Sequence, residues 1–433
     1  MITRRHFLGV SSLAVAGTVT SCQQGEGGSP NASSAGTLPS SIAALTSRAD
    51  EPVPISVEER VLRIEKARGL MRAEGIDALM LTGGTSLRYF TDIRWGLSER
   101  MLAVVIPLRG QAFLVSPAFE EDRAREQLHG GPLEDTEVMT WHEHESPYAL
   151  VAGGLRNRGL GTGRLGIEET VRFVFSDGVA RAAPALSLSS GTPITAGCRG
   201  VKDDHELALM QLANEVTLTA YKAAFEALEP GMSQGDFGRL VSQAHAQQGF
   251  SGGAGVQVGQ YSALPHGSVT PQVIEEGSIL LIDGGCSVEG YRSDISRTFV
   301  LGEPTDRMRQ VFEIEHRAQA AALAAAAPGV EAQAVDAAAR SVIEEAGFGP
   351  DYAYFTHRVG HGIGMDGHEW PYLVRGNTMP LEPGMTFSDE PGIYIPGEFG
   401  VRLEDDMYIT EDGAGLFTPQ SPSIDDPFGN WPA

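Results

Sequence analysis

Apolar and polar positions change period several times along this chain, and the changes mark its elements. From Val57 to Glu74 apolar residues recur at helical spacing behind Ser56, a residue type suited to capping a helix. Ala78-Leu79-Met80-Leu81, Met101–Pro107 and Ala112–Ser116 are short apolar runs between turn residues and predict strands. Leu165–Phe175 also reads as a strand. The preceding Gly161-Thr162-Gly163-Arg164-Leu165-Gly166 has the spacing of a dinucleotide fingerprint, but that motif needs a helix after it, so we read it as a turn into the strand. Lys202–Leu228 predicts a long helix. The pattern divides into an αβ unit over residues 56–198, a larger unit over 199–420 and a tail over 421–433.

The larger unit repeats itself. Pro230-Gly231 opens a predicted helix closed by Gly249-Phe250, and Pro328-Gly329 opens another closed by Gly347-Phe348, with the same 20-residue interval. Met232, Phe237 and Ala244 of the first correspond to Val330, Val335 and Val342 of the second. Each helix leads to a hairpin introduced by an acid-x-Gly turn, Glu275-Glu276-Gly277 or Glu382-Pro383-Gly384. Six residues beyond each turn glycine stands an acid, Asp283 or Glu390. A duplicated helix–hairpin unit predicts two half-sheets about a pseudo-twofold axis, with a cleft that receives carboxylates from both.

The hairpins set up the chemistry. Asp283 and Asp294 lie symmetrically about Val288-Glu289 and are expected to face each other across the ladder; Glu390 and Glu404 are centred on Gly397. Asp283 follows the apolar run Ile279-Leu280-Leu281-Ile282, so its charge is expected to be buried. Two buried carboxylate pairs repel strongly unless cations sit among them, which makes a metal site the economical reading. A nitrogen ligand is sought in the glycine-rich stretch from His357 through His361 to His368-Glu369, where the backbone can come close. Asp389 and Asp405, next to two of these acids, are expected on the opposite strand face, as supporting or solvent groups. His142 and His144 read as a polar loop.

Composition narrows the field. The 433 residues carry 56 acids against 32 bases, a net charge of −24, with only three lysines. No basic tract offers the footprint that nucleic acid requires. Three cysteines are too few for a disulfide scaffold or a structural zinc module. Arg4-Arg5 before a short, weakly apolar run ending at Val19-Thr20-Ser21-Cys22 resembles a twin-arginine signal with a lipoprotein processing box. Residues 1–22 are then an address, Cys22 a lipid anchor and the only membrane attachment, and the location periplasmic or otherwise extracytoplasmic. Residues 23–55, rich in Gly, Ser, Ala and Pro, read as a flexible tether. Cys198 and Cys286 would remain free or pair.

The motifs resemble one family, the pita-bread metallopeptidases that include prolidase, aminopeptidase P and methionine aminopeptidase. The likeness is sharpest in Ser262-Ala263-Leu264-Pro265-His266-Gly267, Ile282-Asp283-Gly284-Gly285, Ser293-Asp294-Ile295-Ser296-Arg297-Thr298, Gly360-His361-Gly362-Ile363-Gly364, His368-Glu369-Trp370-Pro371, Glu390-Pro391-Gly392-Ile393-Tyr394 and Val401-Arg402-Leu403-Glu404-Asp405. These strings point to the prolidase and Xaa-Pro aminopeptidase branch. The resemblance implies an α+β pita-bread fold with internal pseudo-twofold duplication, preceded by a smaller creatinase-like α/β domain. It implies a dinuclear site in which Asp294 and Glu404 bridge, Asp283 chelates one ion, and His361 and Glu390 hold the other. By ligand type Mn(II) is expected, with Co(II) and Zn(II) as alternatives. The same likeness makes Glu390 the proton acceptor, gives His266, His357 and His368 catalytic roles, and has Tyr394 and Arg402 orient substrate. The expected substrates are Xaa-Pro dipeptides or short peptides, and a homodimer is expected. Tyr89, Phe90 and Trp95 are candidate wall residues of the pocket. A same-fold hydrolase or lyase acting on a small C–N or C–S compound, and a non-catalytic peptide-binding module, are the alternatives.

Overall fold

The computed structural model describes residues 37–432; the expected signal, the lipobox and the start of the tether lie outside the described residues. Residues from Pro39 to 55 are not a tether. They form a short helix, α1 (Ser40–Ala43), with Ile42 fully buried, and Arg48 reaches Glu215 at 2.9 Å. Glycine stops at Gly36, and Ile42 finds an apolar surface to cover.

The smaller domain runs α2 (Val57–Glu74), β1 (Ala78–Thr82), α3 (Thr85–Thr91), β2 (Ala103–Pro107), β3 (Phe113–Pro117), α4 (Glu121–Leu128), β4 (Glu137–Trp141), α5 (Pro147–Asn157), β5 (Arg164–Ile167), α6 (Phe173–Ala182), β6 (Ser187–Ser190) and α7 (Thr192–Arg199). Ser56 caps α2 through a reciprocal box with Glu59. The sheet order is β4-β3-β2-β1-β5-β6. Strands β1, β2 and β3 are buried throughout, because helices cover both faces, and so they appear in the sequence as unbroken apolar runs. The strand expected over Leu165–Phe175 stops at Ile167, and Phe173 already belongs to α6. Both segments are apolar, and a short apolar run does not by itself distinguish a strand from a buried helical turn.

The larger domain begins with α8 (Asp204–Phe225) and α9 (Gln234–Gln247) over a half-sheet of β7 (Ser251–Val258), β8 (Ile279–Val288), β9 (Tyr291–Arg292) and β10 (Ile295–Val300). Helices α10 (Asp306–Ala325) and α11 (Ala332–Glu345) repeat the pair over β11 (Gly360–Gly362), β12 (Glu369–Leu373), β13 (Thr386–Asp389), the hairpin β14 (Gly392–Ile395) and β15 (Phe399–Arg402), β16 (Asp405–Ile409) and β17 (Ala414–Leu416). The duplication is physical. Helices α9 and α11 have 14 residues each, and equivalent bonds pin their entrances: Gly231 N–H to Ile274 O and Gly329 N–H to Leu381 O, both 2.8 Å. The turn glycines Gly277 and Gly384 adopt φ of 81° and 85°, a left-handed conformation that a side chain would strain. Each half packs its own core beneath its helix pair, one around Phe237 and Phe299, the other around Phe387 and Val401. A third core joins α2, α3 and α7 to α8 and Tyr291, and so couples the two domains.

The halves meet where Ser296 of β10 bridges Glu404 by two backbone bonds, 3.2 and 3.3 Å, and Thr298 Oγ1 donates to Arg402 O at 2.8 Å. Beneath that seam Arg297 is fully buried. It pairs with Asp405 at 2.7 Å and donates to the carbonyls of Ser296, Glu404 and Pro419. The expected tail packs as well: Ile424 and Phe428 are buried. Cys198 and Cys286 are buried free thiols. Among the described residues no helix is long and apolar enough to cross a membrane.

Removing Arg297 leaves Asp405 as an uncompensated buried charge across the seam. Arg297→Leu is expected to destabilise the fold by about 3–5 kcal/mol, read from the urea midpoint. A loss within about 0.5 kcal/mol would show that the pair does not hold the halves together.

Candidate metal centre

The register at the seam builds the site. Asp283 of β8 pairs with Ser296 of β10, and Ser296 bridges Glu404. The Asp389–Asp405 and Gly392–Arg402 pairs keep one register, which places Glu390 opposite Glu404. Asp283, Ser296, Glu404 and Glu390 thus form one row across four strands. Asp294 was expected directly opposite Asp283, but it lies two residues away along the partner strand, a diagonal neighbour on the same face. The loop is the two residues Glu289 and Gly290, with φ of 49° and 97°, so Val288 pairs with Tyr291 and the hairpin centre falls one residue later than expected. Ser293 and Asp294 leave the ladder between β9 and β10. Ser293 Oγ is held by Cys286 N and Thr217, and Asp294 N–H donates to Asp406 at 2.9 Å.

His361 on β11 completes the set. Ser388 ties it to Glu390, accepting from His361 N–H at 3.0 Å and donating to Glu390 Oε1 at 3.2 Å. His361 Nδ1 bonds Gly362 O, which assigns its proton there and turns Nε2 towards Glu390 at 3.2 Å and Asp294 at 4.0 Å. A nitrogen lone pair aimed at two carboxylates repels them unless a proton or a metal ion lies between. Burial opposes charge on His361, but the bond and charge of Glu390 prevail and raise its pKa. Burial would raise Glu390, yet His361, His357 and Arg402 hold it down to about 2. Asp294 and Glu404 are pushed well up, by burial first and then by neighbouring carboxylates.

Ligand atoms converge in three groups, each within 4.8 Å: Asp283, Asp294 and Glu404; His361, Glu390 and Glu404; Asp294, His361 and His368. Asp294, His361 and Glu404 each belong to two of these groups, so the groups overlap in one continuous site. The donor set of carboxylates with imidazole suits divalent first-row ions, so these residues fit a dinuclear centre.

The surrounding histidines differ in their freedom. The centre opens into a cavity of about 400 Å³ lined by His266, His357, Arg358, His361, His368 and Val374 beside the acids. His266 stands exposed at the rim, and the His368 ring stacks on His361 at 3.8 Å. His357 is engaged: its Nδ1 bonds Arg358 O at 2.8 Å and its Nε2 meets the Tyr394 hydroxyl at 2.7 Å. Burial lowers its pKa. Tyr394 and Arg402, expected to orient substrate, are buried and committed to the site's own groups. Arg402 donates to Asp283 at 2.6 Å, Ser296, Pro265 O and the Tyr394 hydroxyl, and Tyr394 holds His357. They position ligands and bases.

Several contributors escaped the sequence reading. Arg199 and Lys202, on the segment joining the domains, both pair with buried Glu369, and Arg199 also pairs with Asp366, which accepts from Thr85 of α3. That network fixes the loop carrying His368. Glu369 lies inside a quoted motif, but nothing in the sequence pairs it with residues some 170 positions earlier. Asp389 and Asp405 are fully buried, which excludes the solvent alternative. Tyr89 and Phe90 are buried in the interdomain core, and Trp95 lines a different cavity, so none of the three walls this one. His142 and His144 are exposed, away from the site.

Comparison with known proteins agrees with this architecture. Residues 208–411 match the model of metallopeptidase family M24, and residues 63–201 that of the creatinase/prolidase N-terminal domain. An Xaa-Pro dipeptidase of Lactobacillus delbrueckii subsp. lactis is 33% identical over 372 residues, covering 84% of this chain and 98% of the relative. A probable dipeptidase PepE of Mycobacterium bovis is 36% identical over 355 residues, covering 81% and 92%. The crystal structure of dipeptidase PepE from Mycobacterium ulcerans superposes with a TM-score of 0.80 at 32% identity, covering 86% of this chain and 99% of that one. Fold and site define a metallo-exopeptidase of the pita-bread class. The chain belongs to metallopeptidase family M24, in its prolidase and Xaa-Pro aminopeptidase branch.

The raised carboxyls set a pH signature for metal removal. Asp294 and Glu404 hold protons more tightly in the metal-free fold than unfolded, and burial lifts Asp406 to about 7. Carboxyls with raised values stabilise at low pH, and that contribution is lost as pH rises through them. The Tm gap between Mn(II)-loaded and EDTA-treated protein is therefore expected to widen from about pH 5 to about pH 8. A constant or narrowing gap would contradict this charge balance.

Proposed function

We propose that the chain is a dinuclear metal-dependent peptidase that hydrolyses the Xaa-Pro bond of dipeptides or short peptides. The observation that carries this is the convergence of Asp283, Asp294, His361, Glu390 and Glu404 in overlapping ligand groups, two of which share Glu404. The relatives named Xaa-Pro dipeptidase, matched over nearly their full length, support the substrate class. Oxygen-rich ligation with an imidazole supports Mn(II), with Co(II) or Zn(II) as alternatives. Divalent ions held there would supply Lewis-acid polarisation of the scissile carbonyl and a more acidic water.

The chain's own residues supply the rest. Glu390, ionised at neutral pH, is the proton acceptor for the attacking water. Arg358 Nη2 lies 3.2 Å from His368 Nδ1, and because a guanidinium can only donate, that nitrogen accepts and the ring proton sits on Nε2. His368 can then stabilise negative charge on the carbonyl oxygen. The leaving proline nitrogen has no N–H and needs a proton from outside; His266 at the rim is placed to deliver it. His357, fixed by Tyr394, lines the cavity beside Glu390.

Incubation with Mn(II) and an Xaa-Pro dipeptide, a longer Xaa-Pro peptide or creatine tests this. Release of proline or a proline-led peptide is expected; no release from either peptide with metal bound overturns the reading. Asp294→Asn is expected to lower both metal content and turnover by at least about a hundredfold. His142→Ala is expected to change neither.

Location and assembly are part of the proposal. Arg4-Arg5 and Cys22 support twin-arginine export and lipid anchoring. Replacing both arginines by lysine is expected to retain the protein in the cytoplasm, and Cys22→Ser to release it from the membrane fraction; unchanged fractionation would contradict each. Exposed Leu264 and Val269, next to His266, are consistent with a homodimer that covers the rim.

A further inference from the structure

We propose that His245 and Thr217, acting through Ser293, are positioning residues for Asp294, and that their directed chain of hydrogen bonds sets how tightly the centre holds its metal ions. This rests on the peptidase reading above and extends it to residues that line no part of the cavity.

The segment Ser293-Asp294-Ile295 needs a hold from outside its own hairpin. Strand β8 pairs with β9 as far as Arg292 and with β10 from Ile295, so Ser293 and Asp294 fall between the two ladders. Ser293 N–H still reaches Cys286 O, at 3.3 Å. Other elements replace the missing pairs. Helix α8 brings Thr217 to Ser293 Oγ at 2.9 Å and, one turn on, the Tyr221 hydroxyl to Ile295 O at 3.1 Å, while Asp406 takes the Asp294 N–H.

The bonds behind Thr217 run in one direction. His245 of α9 is fully buried, and its Nδ1 lies 2.9 Å from Val241 O. A carbonyl only accepts, so the ring proton sits on Nδ1. Burial pushes the His245 pKa down to about 4, so the ring is neutral at neutral pH and Nε2 is a bare acceptor. Thr217 Oγ1 stands 3.3 Å from that nitrogen and donates to it. With its proton committed, Thr217 accepts from the Ser293 hydroxyl, and Ser293 in turn accepts from Cys286 N–H at 3.1 Å. The reverse order leaves a buried acceptor without a donor, which the interior penalises. The tautomer of His245 thus fixes where the Ser293 hydroxyl points, one residue before a proposed ligand. Thr217, His245 and Ser293 are 0%, 0% and 6% exposed, so water does not replace a lost partner. Partners outside the ligand shell contribute about ten- to a hundredfold to metal affinity.

The test is Mn(II) affinity of the full chain by calorimetry, with turnover of Leu-Pro beside it. Thr217→Val removes the hydroxyl and keeps the shape. It is expected to weaken Mn(II) binding by about tenfold or more, and to lower kcat with KM for Leu-Pro unchanged. Thr217→Ser restores the donor and is expected to recover most of the affinity. Ser293→Ala is expected to match Thr217→Val, and the double variant to lose no more than either alone, because one chain of bonds carries both. Mn(II) affinity within about twofold of wild type in Thr217→Val or Ser293→Ala overturns the assignment. So does a loss that Thr217→Ser does not recover, additive losses in the double variant, or a nitrogen NMR spectrum that places the His245 proton on Nε2. Should Thr217→Val fail to fold, Ser293→Ala and Thr217→Ser decide the question alone. A wild type that binds Mn(II) and releases no proline overturns the peptidase reading and leaves this one standing; a wild type that binds no divalent ion overturns both.

Discussion

Four carboxylates and the lone pair of an imidazole share one cleft, most of them shielded from bulk water, and at neutral pH such a group holds together only with positive charge among its members. Arg402 supplies one charge, 2.6 Å from Asp283 and 3.9 Å from Glu404, against four carboxylates. The fold therefore commits its centre to cations, and much of the surrounding structure serves to hold carboxylates where they would not otherwise stay.

The duplicated architecture explains how they stay. Each half brings a hairpin whose inner strand carries an acid, and the Ser296–Glu404 bridge sets the two hairpins in one register. Behind the row, the buried Arg297–Asp405 pair and the Asp294–Asp406 bond fix the backbone from which the ligands project. The smaller domain takes part. Its core is continuous with α8 and Tyr291, and through Arg199, Lys202 and Thr85 it holds Glu369 and Asp366, the neighbours of His368. Removing it would free the loop that carries a proposed catalytic histidine.

Much of this was legible in the sequence because it was local or repeated. The matching intervals from Pro230 and Pro328 reflect helices of equal length, and the acids six residues past Gly277 and Gly384 reach a common cleft. What escaped was set by details of turns or by distant partners. A hairpin centre displaced by one residue moved Asp294 off its expected partner, though parity kept it on the right face. Arg402 and Tyr394 sit beside ligands in sequence, which does not reveal that their donors are consumed. Arg358 lies between two histidines of a motif, and its bond to His368 depends on how the intervening loop folds. The packing of Ile42 and Phe428 likewise depends on surfaces that form elsewhere in the chain.

The most direct test is anomalous diffraction from crystals grown with Mn(II). The account predicts two peaks about 3.5 Å apart, one contacting Asp283, the other His361 and Glu390, with Asp294 and Glu404 touching both. A single peak, or none between these side chains at full Mn(II) occupancy elsewhere, would contradict it.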